Sequence, residues 1–351
     1  MDHFSFKELL VLIFVFLTVA LSSYNSRSMR LYSNESIKIS EPIDLYLYER
    51  TDLTELTELL DSLVMDFDRD EFNWAGQTLR WRVFSPGRYH INKSISYSEL
   101  LSKLARGLQD PVRVTILPGL DMGRLSRNLS IQLRADSLSF RSIFNDSSSV
   151  ALELGLTAEN LFSRMLPNTY EYFWTSDPEQ VIRRVFREFN SSVEVNFREE
   201  IEASQLTLDE IIILASIVEW EARIDEEKPR ISGLYLNRLN RGMLLQADPT
   251  VAYALGERRR LLFVDYELDH PYNTYKFSGL PPGPITNPTL SSIEAVLYPE
   301  EHDYLFMVAT PEGLHRFSRT FQEHQAASEE WRRWLREQVR IGRERDLQNS
   351  Q

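Results

Sequence analysis

A run of eight residues, Ile211–Val218, constrains the fold more than any other stretch, because it contains a single weakly polar side chain. Thr207 and Glu210 precede it with the spacing of a capping box, which predicts the start of a helix. A helix that is apolar on every side has to be buried, so we expect this helix in the core of a globular domain. Glu219 and Glu221 follow the apolar run directly.

The two glutamates point in different directions if the helix continues through them. Positions two apart on an α-helix are separated by about 200°, so the pair cannot act together on one substrate. Glu219 follows Ala215 and Ser216 at i−4 and i−3, and these small side chains leave room for a ligand. Partial desolvation at the end of an apolar helix favours a protonated carboxyl group, which suits a general acid. The alternative is that both acids face solvent at a helix end, and the local sequence alone does not exclude it.

The N-terminal segment Leu9–Leu21 is unbroken apolar sequence apart from Thr18. It is shorter than the roughly 20 residues of a full membrane span, but the flanking residues could extend it. We expect a membrane anchor over residues 1–24, followed by a polar linker over residues 25–41. A signal peptide cleaved near Ala20 is the alternative, and the flanking basic residues do not settle the orientation of the segment.

The composition excludes several classes of function. The 351-residue chain has a formal net charge of −13 and a pI near 5.1, which argues against a nucleic-acid partner. It has no cysteine, which excludes disulfides and thiolate metal sites. Its six histidines show no metal-ligand spacing, and there is no glycine-rich phosphate loop. We therefore expect no metal and no nucleic acid.

Three further regions follow the linker. Residues 42–119 alternate short strands and helices, in an order resembling β-α-α-β, and predict a small α/β module. Residues 120–200 have mainly helical patterns and form a connecting region. Residues 201–351 combine helices with a predicted hairpin and a charged terminal helix. The predicted fold class is therefore α+β.

Local sequence also predicts where three helices begin. Ser176 and Glu179 have the spacing of a capping box. Asp248 and Asn287 each precede a proline at the start of a helical pattern, which is typical of an N-cap residue.

Several unusual motifs occur in order in the second half of the chain. They are ASIVEWEA, YLNRLNRGMLLQADPTVAYALG, HPYNTY and GLPPGPITNPTLSSIEAVLYP. Together they resemble the endolytic murein transglycosylases of the YceG-like family, and the resemblance extends over about residues 40 to 327. It implies a LysM-like module over residues 42–119 and a mixed α/β catalytic domain over residues 201–351.

The resemblance implies that Glu219, the glutamate of the ASIVE motif, is the catalytic acid. It gives Glu221 a supporting role, and Trp220 departs from the lysine that the family commonly has between them. Asn237 and Arg238 are expected to support the site by locking the second helix against it. The resemblance places four residues in the glycan cleft, namely Gln246, Tyr272, Asn273 and Tyr275.

The implied reaction is non-hydrolytic cleavage of the β-1,4 bond between N-acetylmuramic acid and N-acetylglucosamine inside a peptidoglycan strand. One carboxyl group protonates the glycosidic oxygen and then takes the proton of the muramyl C6 hydroxyl, which closes a 1,6-anhydro ring. This implied reaction needs no cofactor. Such an enzyme would terminate nascent strands from a single-pass anchor in the inner membrane, with a periplasmic catalytic domain and peptidoglycan synthases as candidate partners. The alternatives are a hydrolase with an unseen second carboxylate and a non-catalytic glycan-binding scaffold that recruits synthases.

Overall fold

The computed structural model describes residues 6–257 and 259–349, and the contacts within the chain divide it into two compact units. The first unit contains the residues up to Arg113 together with Glu171–Ser176. The second contains Val114–Tyr170 and the residues from Asp177 onward. Each unit has its own cluster of buried apolar side chains, as a domain requires.

The first unit combines a long N-terminal helix with short strands and shorter helices. Strands β1 (Ile43–Leu47) and β4 (Gly87–Ile91) pair antiparallel with Leu45 opposite Tyr89, and both side chains are fully buried. Both strands lie within residues 42–119, where the sequence predicts short strands. In chain order the elements are α1 (Phe6–Tyr32), β1 (Ile43–Leu47), β2 (Thr51–Asp52), α2 (Leu53–Leu63), α3 (Arg69–Leu79), β3 (Val83–Phe84), β4 (Gly87–Ile91) and α4 (Tyr97–Ala105).

Helix α1 is long and apolar enough to cross a membrane. It has 27 residues, which span about 40 Å at 1.5 Å per residue, whereas the hydrocarbon core of a bilayer is about 30 Å thick. Its large apolar side chains between Phe6 and Leu21 are exposed. The first unit therefore carries a candidate membrane span at its N-terminal end.

Helix α1 also continues into the region predicted as a polar linker, residues 25–41, and that prediction is wrong for its first part. Arg30 donates hydrogen bonds to the Glu71 carboxylate and lies 3.9 Å from the centre of the Trp74 ring. Leu31 is buried in the core of the first unit. No proline or glycine interrupts this part of the helix, and these contacts hold its last turn.

The second unit is mainly helical. Strand β7 (Phe306–Ala309) pairs antiparallel with β8 (His315–Ser318). Strand β5 (Val112–Ile116) pairs with β6 (Asn168–Tyr172), and each of these two strands has residues in both units. In chain order the strands and α-helices are β5 (Val112–Ile116), α5 (Met122–Gln132), α6 (Ser137–Ile143), α7 (Ser149–Leu154), α8 (Ala158–Ser163), β6 (Asn168–Tyr172), α9 (Pro178–Phe189), α10 (Arg198–Ala203), α11 (Leu208–Glu221), α12 (Lys228–Asn240), α13 (Asp248–Leu255), α14 (Leu290–Leu297), β7 (Phe306–Ala309), β8 (His315–Ser318) and α15 (Phe321–Asn349). Short π and 3-10 helices lie at Asn190–Val195, Asp225–Glu227 and Phe263–Glu267.

Helix α11 lies at the centre of the second unit's core. Its capping box is confirmed, because Thr207 and Glu210 each accept a hydrogen bond from the other's backbone N–H. All residues of Ile211–Val218 are buried, as the apolar run predicts. The helix packs against α12 and α14, and it ends at Glu221. The two acids therefore stand on the last turn of a helix whose eight central residues are buried.

The predicted capping box at the start of α9 is wrong by one position. The N-cap is Asp177, whose carboxylate accepts from the backbone N–H groups of Glu179 and Gln180. Asp177 directly precedes the proline of the first turn, and its charged oxygen is a stronger acceptor than the Ser176 hydroxyl.

Asp248 does not cap helix α13. The N-cap is Ala247, whose N–H and C=O are bonded to the hydroxyls of Thr274 and Thr250. These two backbone bonds fix the start of the helix and leave the Asp248 carboxylate free to bind other donors.

Asn287 does not cap helix α14 either, because its buried side chain is used elsewhere. It accepts from the backbone N–H of Leu120 and donates to the carbonyls of Leu117 and Met165. The cap is Thr289, two residues later. The position predicted as a helix start therefore ties the loop after β5 to the second unit's core.

Candidate active site

The C-terminal turn of α11 borders two separate cavities, and the two glutamates open to different ones. Glu219 lines an open cleft of about 550 Å³, and Glu221 lines a polar cavity of about 310 Å³. The predicted separation of the two acids by the helical period is thereby confirmed. The cleft is lined by Pro118, Gly119, Glu219, Trp220, Ala252, Arg259 and Arg260. The polar cavity is lined by Glu221, Leu234, Tyr235, Arg238, Leu245, Gln246, Asp248, Met307, Val308, Ala309, His315 and Trp331.

Glu219 is bound tightly through one carboxylate oxygen. Its Oε2 accepts from the Thr289 backbone N–H at 3.0 Å, the Thr289 hydroxyl at 2.5 Å and the Ser292 hydroxyl at 2.6 Å. Thr289 is the N-cap of α14, so the carboxylate lies at the positive end of that helix. An acid that opposes the dipole of its own helix is thus stabilised by the dipole of a neighbouring one.

Lys228 completes this network from the start of α12. Its ammonium group lies 3.4 Å from Glu219 Oε2 and donates to the hydroxyls of Thr289 and Ser291. It also pairs with Asp225 at 2.7 Å. The lysine is only 4% exposed, so the network joins the ends of three helices at a buried ion pair.

Glu221 has a different environment, in which burial dominates. Desolvation raises its pKa to about 7. A hydrogen bond from the Tyr235 hydroxyl, 2.9 Å from Oε1, and the charge of Arg238 oppose the shift, while the charge of Asp248 adds to it. No described residue hydrogen-bonds to the other oxygen, Oε2. A carboxyl group that holds its proton near neutral pH, beside a cavity, is suited to general acid catalysis.

Arg238 and Asn237 hold helix α12 against the wall of the polar cavity. Arg238 donates to the carbonyls of Leu305 and Leu245, both at 2.6 Å. Asn237 donates to the carbonyls of His302 and Tyr304. These are the contacts that the expected locking role of the two residues requires.

Gln246 is presented to the polar cavity by a strained backbone. Its φ of 49° lies in the left-handed region, which residues other than glycine seldom adopt. The backbone is held there by a 3.1 Å hydrogen bond to the Thr274 carbonyl. No described residue hydrogen-bonds to its side-chain amide. Such strain persists where the surrounding structure imposes it, often at binding sites.

Tyr275 reaches the polar cavity through Asp248. Its hydroxyl donates to the Asp248 carboxylate at 2.5 Å, and the Tyr266 hydroxyl donates to the same group. Burial and the adjacent negative charge hold the pKa of Tyr275 well above its usual value, so it remains a donor. Asp248, which the sequence suggested as a helix cap, therefore belongs to the wall of this cavity.

Tyr272 and Asn273 line neither cavity. Tyr272 belongs to the second unit's core, with its ring centre 4.8 Å from that of Tyr253. Asn273 is fully buried, donates to the carbonyls of Tyr266 and Leu268, and accepts from the Tyr275 backbone N–H. The two residues shape the loop that carries Tyr275.

Among the side chains of the polar cavity that sequence reasoning missed are Tyr235, His315 and Trp331. Tyr235 stands at i−3 from Arg238 on α12, and that shared helical face could have indicated it. His315 comes from β8 and Trp331 from α15, and no local pattern connects either with Glu221. Among residues 6–257 and 259–349, no group of three or more His, Asp or Glu side chains is placed to hold a metal ion.

Comparison with known proteins agrees with the fold and the motifs. The model of the YceG-like family matches residues 48–330. The endolytic murein transglycosylase of Bacillus subtilis strain 168 is 31% identical over 267 residues, which is 71% of this chain and 73% of that protein. The enzyme of the same name from Streptococcus pneumoniae R6 is 28% identical over 286 residues, and the match spans 52% of its length.

A solved structure supports the same relationship. The crystal structure of a yceG-like protein from Listeria monocytogenes aligns with a TM-score of 0.59 and 26% identity, over 82% of this chain and 99% of that one. Because the family model matches residues 48–330, which is most of this chain, the chain belongs to the YceG-like family.

Proposed function

We propose that this chain is an endolytic murein transglycosylase, which cleaves the β-1,4 bond between N-acetylmuramic acid and N-acetylglucosamine within peptidoglycan strands. The enzymes of that name in its family support this function. The observation that carries it is Glu221, a carboxyl group with a pKa raised to about 7 and one oxygen open to a polar cavity.

The chemistry needs one acid and the substrate's own hydroxyl group. Glu221 Oε2 gives its proton to the glycosidic oxygen as the bond from that oxygen to muramyl C1 breaks. The muramyl C6 hydroxyl then attacks C1 and closes the 1,6-anhydro ring, so no water is consumed. Its proton goes to a base in the cavity.

This proposal exchanges the roles that the resemblance implied for the two acids. Gln246, which is expected to line the glycan cleft, and Arg238, which is expected to support the site, share a cavity with Glu221 and not with Glu219. Glu219 Oε2 is occupied by three hydrogen bonds and an ammonium group. We therefore assign the acid to Glu221, glycan binding to Gln246 and a structural role to Glu219.

The test is a matched pair of variants, Glu221→Gln and Glu219→Gln, in the full chain. Each keeps the shape of the side chain and removes its charge. With purified glycan strands as substrate, we expect Glu221→Gln to lower the rate of 1,6-anhydro formation by about 10²–10⁴-fold, as for loss of a general acid. Glu219→Gln should keep the products of the wild-type protein once its folding is verified. A folded Glu221→Gln variant with wild-type activity would mean that Glu219, and not Glu221, is the general acid.

Mass spectrometry of the products separates the other functions. Anhydro ends mark the transglycosylase, and reducing ends mark a hydrolase with a second carboxylate. A glycan-binding scaffold would yield neither kind of new end.

We also propose that α1 anchors the chain in the inner membrane by a single pass, with the catalytic unit in the periplasm next to nascent strands and their synthases. The length and composition of α1 support the anchor. For residues 42–119 we propose a LysM-like module. Two helices, α2 and α3, lie between antiparallel strands there, and this order supports the assignment.

A further inference from the structure

A second pair of ionisable groups borders the polar cavity. Both oxygens of Glu227 are bound to His315, one by the backbone N–H at 2.8 Å and the other by the ring Nδ1 at 3.1 Å. Glu227 is 7% exposed and lies just before α12, whereas His315 begins β8. The carboxylate therefore fixes both the backbone and the ring of His315.

This contact sets which ring nitrogen carries the proton. An ionised carboxylate only accepts hydrogen bonds, so Nδ1 has to be the N–H donor. In the neutral ring Nε2 is then an acceptor, and no described residue hydrogen-bonds to it. His315 lines the same cavity as Glu221, so this acceptor is available to a molecule bound there.

We propose that His315, oriented by Glu227, takes the proton of the muramyl C6 hydroxyl as that oxygen attacks C1. This inference rests on the transglycosylase function proposed above and assigns a separate base to it. His315 would be a catalytic residue, and Glu227 would be its positioning residue.

The proton count closes without a further reactant. Glu221 protonates the departing glycosidic oxygen while its bond to C1 breaks. The C6 oxygen forms the new bond to C1, and its proton passes to His315 Nε2. The imidazolium is stabilised by the adjacent Glu227 carboxylate. After the products leave, the imidazolium loses a proton to water, and Glu221 takes one from water.

Two features favour the C6 hydroxyl as the group that His315 meets. It is the one hydroxyl of the substrate that loses its proton in this reaction, and a carboxylate-backed imidazole is a strong acceptor. A separate base also removes a delay. Glu221 alone would have to break its contact with the departing sugar before it could accept the second proton.

The test uses the full chain and measures both the rate and the kind of end produced. We expect His315→Gln and Glu227→Gln to lower kcat by about 10²–10⁴-fold and to change KM little. The amide of Glu227→Gln can donate to Nδ1, which would turn Nε2 into an N–H group and remove the base without changing volume. Residual products should shift from anhydro ends toward reducing ends, because water competes when the C6 hydroxyl keeps its proton.

The matched control is His90→Ala. His90 also contacts a carboxylate, Asp44, at 2.7 Å, but it does not line the polar cavity. The His90→Ala variant should leave kcat and the fraction of anhydro ends unchanged. Circular dichroism verifies that each variant is folded.

The proposal is overturned if the folded His315→Gln and Glu227→Gln variants keep the wild-type fraction of anhydro ends, with kcat within roughly threefold of the wild-type value. A rise of KM alone, with products unchanged, overturns it equally, since His315 would then only bind substrate. If the wild-type chain itself makes no anhydro ends, it is the transglycosylase function that fails. These outcomes are distinguishable in one product assay.

Discussion

Glu219 and Glu221 stand on the same turn of α11 but have different partners. Glu219 faces three hydrogen-bond donors and an ammonium group, all directed at one oxygen. Glu221 has one hydroxyl donor and a nearby negative charge from Asp248. The first environment suits a carboxylate that holds helices together, and the second suits a carboxyl group that exchanges protons.

The raised pKa of Glu221 has a consequence for stability. The pKa rises from 4.5 in the unfolded chain to about 7 in the folded protein, so the folded state binds this proton more tightly. Stability from this group is fully present below about pH 4.5 and is lost as the pH rises through about 7. At 1.36 kcal/mol per pKa unit, the loss amounts to at most about 3 kcal/mol.

Glu221→Gln should therefore be more stable than the wild-type protein at about pH 8 and equally stable at about pH 4. The glutamine keeps the hydrogen bond from Tyr235 and never ionises. Urea unfolding of both proteins across this range measures the difference. A constant difference at all pH values would mean that Glu221 is not the group with the raised pKa.

At the scale of residues, the sequence predicted that the side chains of Glu219 and Glu221 point in different directions, but not which of them is the general acid. The helical period alone separates Glu219 from Glu221. The choice between them depends on Tyr235, Asp248 and the residues of the β7–β8 hairpin, which are far from α11 in the chain. The motif that carries the resemblance contains both glutamates, so it could not distinguish them.

At the scale of elements, the Glu219–Lys228 pair connects the end of α11 with the starts of α12 and α14. The ammonium group is almost fully buried, and it would lose a charged partner if Glu219 were neutralised. Removing one member of a buried pair is costly because the other charge is left desolvated. The network is therefore a stability determinant of the second unit.

We expect Glu219→Gln to lower the free energy of unfolding by about 3 kcal/mol, since Lys228 keeps only the exposed Asp225 as a charged partner. The double variant Glu219→Gln/Lys228→Met should regain at least about 1 kcal/mol of that loss, because no unpaired buried charge remains. Denaturant unfolding of the four proteins in this cycle measures the coupling. Additive effects of the two substitutions would contradict the proposed pair.

The helix starts show which local signals are decisive. The Thr207–Glu210 capping box was predicted because both of its bonds lie within four residues of sequence. The same kind of local signal predicts a cap at Asn287, but its amide binds three backbone groups elsewhere in the second unit. Local propensity is weak evidence when a buried polar group has long-range partners.

At the scale of the whole chain, the sequence predicted an apolar N-terminal segment followed by a mixed α/β protein. In the structure the helix of that segment continues to Tyr32, and Glu171–Ser176 belongs to the first unit. The sequence predicts neither, because the last turn of α1 is held by Glu71 and Trp74, and Glu171–Ser176 is held by long-range contacts such as the hydrogen bond from Gln109 to Thr175. Each depends on chain reversals that periodicity does not encode.

The anchor proposal predicts a clean separation of attachment from catalysis. Removing residues 1–24 deletes the exposed apolar part of α1 and retains its last turn, with Arg30 bound to Glu71 and Leu31 buried. We expect the full chain to sediment with membranes and to need detergent for release, because an apolar helix of this length is stable only in the bilayer. The shortened chain, expressed with a cleavable export signal, should remain in the soluble fraction. It should retain the wild-type kcat on isolated glycan strands, because the residues around Glu221 belong to a unit with its own core.

Fractionation followed by N-terminal sequencing and the product assay tests both parts. Full-length protein that stays soluble without detergent, or mature protein that lacks residues 1–24, would contradict a permanent anchor and favour a cleaved signal peptide.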